Sequence, residues 1–204
     1  MEKFTKVTGV AAPLMRQNVD TDLIIRIERL VGTDRSDLGP HCFEQLRLKA
    51  DGTADPACVL NHAAYRDAPI LLAAENFGCG SSREGAVWAL MGAGVKAVIA
   101  PSYGDIFFNN CFQNGLLPVA LPIAEVERLA EETRASPGNA RVTVDLEEHV
   151  VVSPTGRRIA FEIEGRRRDA LLQGLDDIAL TLKHAETIAG WQNADRAQRP
   201  WVWL

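Results

Sequence analysis

The sequence has no long apolar run and no hydrophobic stretch at its amino terminus. No segment approaches the length that a membrane-spanning helix needs. The first residues, Met1-Glu2-Lys3-Phe4-Thr5-Lys6, lack the apolar core of a signal peptide. We therefore expect a cytoplasmic protein that has no membrane partner.

Cysteine is also scarce, with four residues that include no Cys-x-x-Cys pair: Cys42, Cys58, Cys79 and Cys111. This pattern excludes a disulfide framework and predicts reduced thiols. A zinc site could be imagined from His41, Cys42, Cys58 and His62, but these spacings match no standard zinc pattern. The sequence predicts no metal site in this chain.

An excess of positive charge is missing too. The chain has 22 Lys and Arg against 27 Asp and Glu, a net charge of −5, which argues against a nucleic-acid partner. The one basic cluster, Arg166-Arg167-Arg168, is short and is interpreted as a solvated face or a partner contact. Since the 204 residues are 47% hydrophobic, they can bury a full core, and we expect a single domain over residues 1–204.

The most informative segment joins an apolar run that predicts a strand (residues 70–74) to an alanine-rich run that predicts a helix (residues 83–91). In α/β proteins this kind of junction carries the ligand site. Gly78 and Gly80 permit a tight turn and a close approach of the backbone. The loop is therefore a candidate site built from main-chain groups.

The residues that follow these glycines favour an anion as the ligand. Ser81 and Ser82 are good helix N-cap residues, and Arg83 adds a forked cationic donor suited to a carboxylate or a phosphate. A dinucleotide fingerprint would need a third glycine at Arg83, and the Gly-Lys-Ser/Thr of a P-loop is absent. A plain glycine-rich turn capped by serine remains the alternative.

The whole string is more specific than either alternative, and it runs Asn76-Phe77-Gly78-Cys79-Gly80-Ser81-Ser82-Arg83-Glu84. It resembles the signature of the swivelling domain of the aconitase superfamily, most closely in the small-subunit family of 3-isopropylmalate dehydratases. Further matching segments, in the same order, are Asn18-Val19-Asp20-Thr21-Asp22-Leu23-Ile24-Ile25, residues 98–107, residues 115–119 and residues 174–182. The resemblance therefore covers nearly the whole chain.

The resemblance implies both a fold and a function. The fold would be α/β, an aconitase-type swivelling β/β/α domain with a parallel β-α-β core and an added hairpin. The function would be that of the small subunit of a heteromeric hydro-lyase, which isomerises 2-isopropylmalate and 3-isopropylmalate by dehydration and rehydration in leucine biosynthesis. Its partners would be a small hydroxy-dicarboxylic acid and a large subunit that holds a 4Fe-4S cluster, because this chain has no cysteine set for a cluster.

By the same resemblance, Ser81 matches the catalytic base, and Ser82 and Arg83 match substrate-carboxylate contacts. Asp22 matches an active-site aspartate, and Gly78 and Gly80 supply loop backbone. A serine alkoxide would need stabilisation by amide donors and positive charge. Plainer roles remain open for three of these residues, because Ser82 could only cap the helix, Arg83 could only pair with Glu84 or Asp22, and Asp22 could be an Asx-turn residue.

The chain departs from the family pattern at two places in these segments. Gly85 stands where the family has histidine, and Arg26-Ile27 stand where it has proline and lysine. We expect Gly85 to loosen the first helical turn and Arg26 to bind substrate by supplying the missing charge one position earlier. These changes leave open a related hydratase acting on citraconate and 2-methylmalate, dimethylmaleate or homoaconitate, or a non-catalytic anion-binding module.

Periodicity and turn residues predict the other elements. A β-α-β unit is expected over residues 70–100. Further strands are expected at residues 7–14, 117–121, 141–146, 150–152 and 159–163, and further helices at residues 102–114, 125–134, 167–173 and 176–192. Residues 32–68 are expected to be an irregular specificity insertion, and residues 166–204 a helical tail. Trp201 and Trp203 in that tail are expected to pack on this subunit or its partner.

Overall fold

The strands form one sheet that organises the chain. The computed structural model describes residues 1–80 and 83–203, so that Ser81, Ser82 and Leu204 lie outside the described residues. The strands are β1 (Lys6–Pro13), β2 (Ile70–Leu72), β3 (Ala97–Ala100), β4 (Leu117–Ala120), β5 (Arg141–Asp145), β6 (Val150–Val152) and β7 (Arg158–Ala160). In the described part of the chain they lie in the order β4-β3-β2-β1-β5-β6-β7.

The first half of the sheet is parallel. Strands β1 to β4 pair in parallel, in a register that places Ala12, Leu71, Val98 and Pro118 side by side. Strands β2 and β3 are buried on both faces, which explains why they are short, continuous apolar runs in the sequence. The predicted β-α-β core is thus confirmed.

The second half is antiparallel and begins at β1, which pairs in parallel with β2 and antiparallel with β5. Strands β5, β6 and β7 continue as an antiparallel meander. The turn between β6 and β7 closes with a hydrogen bond of 3.0 Å from the Gly156 amide to the Ser153 carbonyl. This is the added hairpin that the resemblance implies.

The α-helices in the described residues are α1 (Thr21–Ile24), α2 (Ile27–Leu30), α3 (Glu44–Arg47), α4 (Glu84–Gly92), α5 (Asp105–Asn114), α6 (Ile123–Ala135), α7 (Gly165–Gln173), α8 (Asp177–Leu182) and α9 (Ala185–Gln198). Short 3-10 turns occupy Arg35–Asp37, Gly39–His41, Val59–Asn61 and Pro200–Val202. Residues 32–68 therefore contain short turns and the single turn of α3. None of the helices in the described ranges combines the length and apolar character needed to cross a membrane.

Two hydrophobic cores lie on the two faces of the sheet. Helix α4 contributes Val87 and Leu90 to the first core, where they pack with Leu71 and Val98. On the other face, helix α6 packs with the alternate strand positions, and that second core includes Ile70, Leu72, Ile99, Val126 and Leu129. The alternation of strand residues between the two cores follows from the two-residue period of a strand.

Helix α5 begins three residues later than the sequence predicts. The main chain of residues 102–104 pairs with the signature loop: the Phe77 amide donates to the Ser102 carbonyl at 3.0 Å, and the Gly104 amide donates to the Phe77 carbonyl at 2.9 Å. These bonds hold the segment extended and delay the helix. Its end at Gly115, which has a φ of 95°, is as predicted.

The carboxyl-terminal tail also differs from the prediction, because the single helix expected at residues 176–192 is two helices, α8 and α9. The last turn of α8 tightens through bonds from the Lys183 amide to Leu180 and from the His184 amide to Thr181. No glycine or proline marks this break in the sequence. Among the described residues none of α9 is buried; Trp203 contacts Trp191, with ring centroids 6.5 Å apart, and Trp201 is 71% exposed.

Candidate active site

The signature loop meets two of the other matching segments, residues 18–25 and residues 98–107, at one edge of the sheet, beyond the carboxyl ends of β1, β2 and β3. Asp20 forms a parallel bridge with Cys79, and Phe77 forms one with Tyr103. The Thr21 amide donates to the Cys79 carbonyl at 3.0 Å. The signature loop therefore lies between the two other segments, as an extension of the strand order, at the edge where open α/β sheets bind ligands.

Close packing explains the glycines of the loop. Gly78 and Gly80 have φ values of 71° and 81°, in the left-handed region that disfavours other residues. A Cβ atom on Gly78 would lie 2.2 Å from Cγ of Phe107. Gly104 is equally confined, because a Cβ there would lie 2.5 Å from the Gly78 carbonyl oxygen. The backbone path of the loop therefore depends on these glycines.

Asp22 and Arg83 form an ion pair across this edge. Arg83 lies at the N-cap of α4, and its Nη1 donates to Oδ1 of Asp22. The arginine side chain is 18% exposed and the aspartate side chain 46% exposed, so the pair faces solvent on its acidic side. The guanidinium has five N–H donors, which is more than one carboxylate oxygen can use.

Asp22 is held by the first turn of α1. Asp20 is the N-cap of this helix, and its Oδ1 accepts a hydrogen bond of 2.7 Å from the Leu23 amide. Asp22 lies in this capped turn, where its carboxylate accepts the hydrogen bond from Arg83. Of the two pairings considered for Arg83 from sequence, the structure shows the pairing with Asp22.

The other predicted site residues have different positions. Arg26 is exposed at the N-cap of α2, and its Nε donates to Oε2 of Glu28 at 3.2 Å. Among the described residues the acceptor for Arg26 is thus Glu28. Ser81 and Ser82, predicted as base and substrate contact, lie outside the described residues and stay predictions.

Gly85 has a contact that the sequence did not reveal. A Cβ atom at this position would lie 2.5 Å from Cδ2 and 3.0 Å from Cδ1 of Leu30, whose side chain packs over the first turn of α4. The missing side chain therefore makes room for α2. The departure from the family pattern was visible in the sequence, but the residue that fills the space is distant along the chain.

The cysteine in the loop is held as a neutral thiol. Burial, followed by the negative charge of Asp20, raises the pKa of Cys79 above its ordinary value. A thiol just before a helix can have its pKa lowered by the helix N-terminus. The nearby carboxylate and the low solvation outweigh that effect, so Cys79 is not an activated nucleophile.

The described residues do not fit a metal or an iron-sulfur cluster. Burial raises the pKa of Cys42 to about 12, which opposes the thiolate form that a metal requires. Cys111 is buried as well, and burial raises its pKa too. Within residues 1–80 and 83–203, no group of three or more His, Cys, Asp or Glu side chains could hold a metal ion.

The parallel sheet, with a glycine-rich loop and an ion pair at the carboxyl ends of its strands, defines an aconitase-type domain. Consistent with this class, residues 1–124 match the family model described as the aconitase C-terminal domain. Residues 127–165 match a model described as LeuD_N, and residues 177–202 match the model for the C-terminal domain of the 3-isopropylmalate dehydratase small subunit. The chain belongs to the family of 3-isopropylmalate dehydratase small subunits.

Curated relatives agree over the full length. The chain is 50% identical to the 3-isopropylmalate dehydratase small subunit of Dinoroseobacter shibae, with 99% of this chain and 100% of the relative covered. It is 52% identical to that of Rhodospirillum centenum, with 99% of each covered. It is 51% identical to that of Gluconacetobacter diazotrophicus, with 98% of this chain and 97% of the relative covered.

A solved structure is also similar. The crystal structure of 3-isopropylmalate dehydratase from Methanocaldococcus jannaschii aligns with a TM-score of 0.64 and 30% identity, covering 92% of this chain and 99% of that one. The predicted α/β fold of the aconitase type is confirmed by this likeness and by the family model.

Proposed function

We propose that this chain is the small subunit of a cytoplasmic, heteromeric hydro-lyase that interconverts 2-isopropylmalate and 3-isopropylmalate by dehydration and rehydration in leucine biosynthesis. The observation that carries the proposal is the Asp22–Arg83 pair at the edge where the signature loop meets residues 18–25 and residues 98–107. The full-length similarity to proteins named as this subunit supports it.

The reaction removes a proton from the carbon next to a carboxylate while hydroxide leaves the neighbouring carbon, and a C=C bond forms. Water then adds in the opposite sense. In this proposal the Arg83 guanidinium binds a substrate carboxylate through the donors that Asp22 does not use. Asp22 keeps the guanidinium in place before substrate arrives.

Ser81 is proposed as the base that takes the proton, with Ser82 as a further carboxylate contact. An ordinary serine hydroxyl is too weakly acidic for this task, so its alkoxide needs nearby positive charge and amide donors. Arg83 lies two residues away and supplies the charge. The Gly78 amide already donates to the Val19 carbonyl at 2.7 Å, so the amides of this proposal come from the loop main chain after Gly78. Arg26, exposed beside Glu28, is proposed to contact substrate only in the assembled enzyme.

The large subunit is the proposed partner and the proposed holder of the 4Fe-4S cluster. The proposal assigns to this chain the binding of a carboxylate and the movement of the proton.

The test is anaerobic reconstitution of this chain with its cognate iron-sulfur large subunit, followed by the ultraviolet absorbance of the unsaturated intermediate. The substrates compared are 2-isopropylmalate, 3-isopropylmalate, 2-methylmalate and homocitrate. Turnover of isopropylmalate that disappears in Ser81→Ala and persists in Ser136→Ala, an exposed serine at the end of α6, would support the proposal.

The second candidate is a related hydratase for citraconate and 2-methylmalate, dimethylmaleate or homoaconitate. The packing of Leu30 on Gly85 favours this candidate, because Leu30 occupies the space beside the signature loop that a side chain at position 85 would otherwise fill. Preference for another acid in the same assay would reassign the substrate and keep the mechanism. No turnover with any acid, in a cluster-loaded complex, would instead favour a non-catalytic anion-binding module.

Replacing Gly85 with histidine separates loss of function from adaptation, provided that Leu30 is removed in the reference protein as well. The imidazole would otherwise have to displace Leu30. A large gain of activity in Gly85→His/Leu30→Ala over Leu30→Ala would indicate a decayed site. A loss would indicate that the site is adapted to glycine.

A further inference from the structure

A buried asparagine joins three segments beside the candidate site. Asn114 is the last residue of α5 and is 5% exposed. Its Oδ1 accepts hydrogen bonds from Nη2 of Arg35 and from Nε1 of Trp88, each 2.9 Å long. Its Nδ2 donates to Oε1 of Glu84 at 2.7 Å and to the Asn110 carbonyl at 2.9 Å. All four hydrogen-bonding positions of the amide are therefore used.

The polarity of the amide matches its surroundings. Its oxygen faces the cationic Arg35, and its nitrogen faces the anionic Glu84, so that the amide dipole links a cation to an anion. The Arg35 guanidinium also lies 4.9 Å from the centre of the Trp88 ring, in a cation–π arrangement. In a buried site such a fully satisfied network is rigid, and losing one member leaves the others without partners.

The three segments that meet at Asn114 have different roles. Glu84 is the first residue of α4 and directly follows Arg83. Trp88 lies one turn further along the same helix, whereas Arg35 belongs to the insertion. A close approach of two backbones reinforces the link. Gly39 of the insertion packs so closely on the end of α4 that a Cβ atom on it would lie 2.2 Å from the Gly92 carbonyl oxygen. The insertion is thus held against α4 at both ends of the helix.

We propose that Asn114 is a positioning residue, whose side-chain amide holds the start of α4, and with it Arg83, in a fixed place against the insertion. The functional part of this inference rests on the proposed function, in which Arg83 binds a substrate carboxylate. Asn114 lies behind the helix start and acts through Glu84. Its loss changes how well the guanidinium is presented, and the binding of substrate weakens before the chemistry does.

Hydrogen exchange tests the structural part without any assay of activity. In Asn114→Leu, which removes every polar contact of the amide, exchange should accelerate in peptides covering residues 33–42 and 83–92. Exchange in the hairpin, residues 141–160, should stay unchanged. Gln113→Ala is the matched control, because Gln113 is its neighbour on α5 and contacts Asp177 instead. Unchanged exchange in both peptides, or equal acceleration throughout the chain, would overturn the proposal.

Steady-state kinetics of the reconstituted complex test the functional part. Because Arg83 contacts the carboxylate in both ground and transition states, Asn114→Leu should raise KM about tenfold. Arg83 also supplies charge to Ser81, so kcat should fall as well, but by a smaller factor than KM rises. Gln113→Ala should leave both constants unchanged. A fall in kcat with unchanged KM, or loss of thermal stability with unchanged constants, would contradict a positioning role.

A compensating pair provides a rescue. Asn114→Asp places a carboxylate next to the Glu84 carboxylate, and their repulsion should raise KM. In Asn114→Asp combined with Glu84→Gln, the amide introduced at position 84 donates to the carboxylate introduced at position 114. That carboxylate still accepts hydrogen bonds from Arg35 and Trp88. The double variant should recover part of the lost affinity, and no recovery would count against the network. If the wild-type complex turns over none of the acids, the proposed function fails, and the exchange experiment still decides whether Asn114 holds α4 to the insertion.

Discussion

Adding one methyl group at Gly85 should change stability in opposite directions depending on Leu30. In the wild-type chain the new Cβ of Gly85→Ala would lie 2.5 Å and 3.0 Å from the two δ carbons of Leu30, well inside the ordinary carbon contact of about 3.5–4.0 Å. The end of the leucine must move, at a cost of about 1–3 kcal/mol. Alanine offsets at most about 1 kcal/mol of this through its higher helix propensity.

We therefore expect Gly85→Ala to destabilise the chain by about 1 kcal/mol, as the difference between these two effects. In a Leu30→Ala background the methyl group enters the vacated space, so the same substitution should stabilise by up to about 1 kcal/mol. Urea unfolding of the isolated chain, followed by circular dichroism at low protein concentration, measures all four free energies. Gly165→Ala at the start of α7, where no described atom lies within 4 Å of the added Cβ, is the control.

The change of sign distinguishes packing from helix propensity. If Gly85→Ala has the same effect in both backgrounds, within the usual additivity error of about 0.5 kcal/mol, Leu30 does not confine position 85. The interpretation that glycine at position 85 allows Leu30 of α2 to pack on α4 would then be wrong. An unchanged urea m-value in all four proteins is needed for the comparison.

Three further outcomes follow from the structure. Gly78→Ala should lower the free energy of unfolding by at least about 2 kcal/mol in the same urea assay, since it combines a positive φ with a clash against Phe107. A smaller loss would contradict the close packing of the loop on Phe107. Burial raises the pKa of Asp145, but the hydrogen bond from Lys6 and those from two backbone amides outweigh burial and leave the pKa below its usual value. Asp145→Asn should therefore cost about 1–3 kcal/mol at pH 7, with the difference from wild type shrinking as the pH falls below about 4 and through the lowered pKa; a constant difference would refute this. Because its pKa is raised, Cys79 should react with iodoacetamide at about pH 7.5 more slowly in the folded chain than in urea, as read by peptide mass spectrometry, and faster reaction would contradict the neutral thiol.

Local signals predicted much of the fold. The apolar runs of β2, β3 and β4 and the glycine at the end of α5 lie where the pattern places them, because strand burial and a left-handed helix end leave marks in neighbouring residues. The start of α5 was predicted too early because residues 102–104, expected to be helical, pair with Phe77 instead. Phe77 lies at least 25 positions earlier in the chain. The break between α8 and α9 was missed because it contains no turn residue.

The candidate site shows the same division. The glycines, Ser81, Ser82 and Arg83 were recognisable as a candidate anion site, because such a site needs those residue types next to one another. By itself the sequence determined this loop, the family and the alternation of strands and helices, all of which depend on residues close in the chain. Only the tertiary structure decided that Asp22 pairs with Arg83, that Leu30 fills the space at Gly85 and that Asn114 joins α4 to the insertion. These contacts form between residues 26 to 79 positions apart, and such distant contacts are selected by how the elements pack, which no local pattern records.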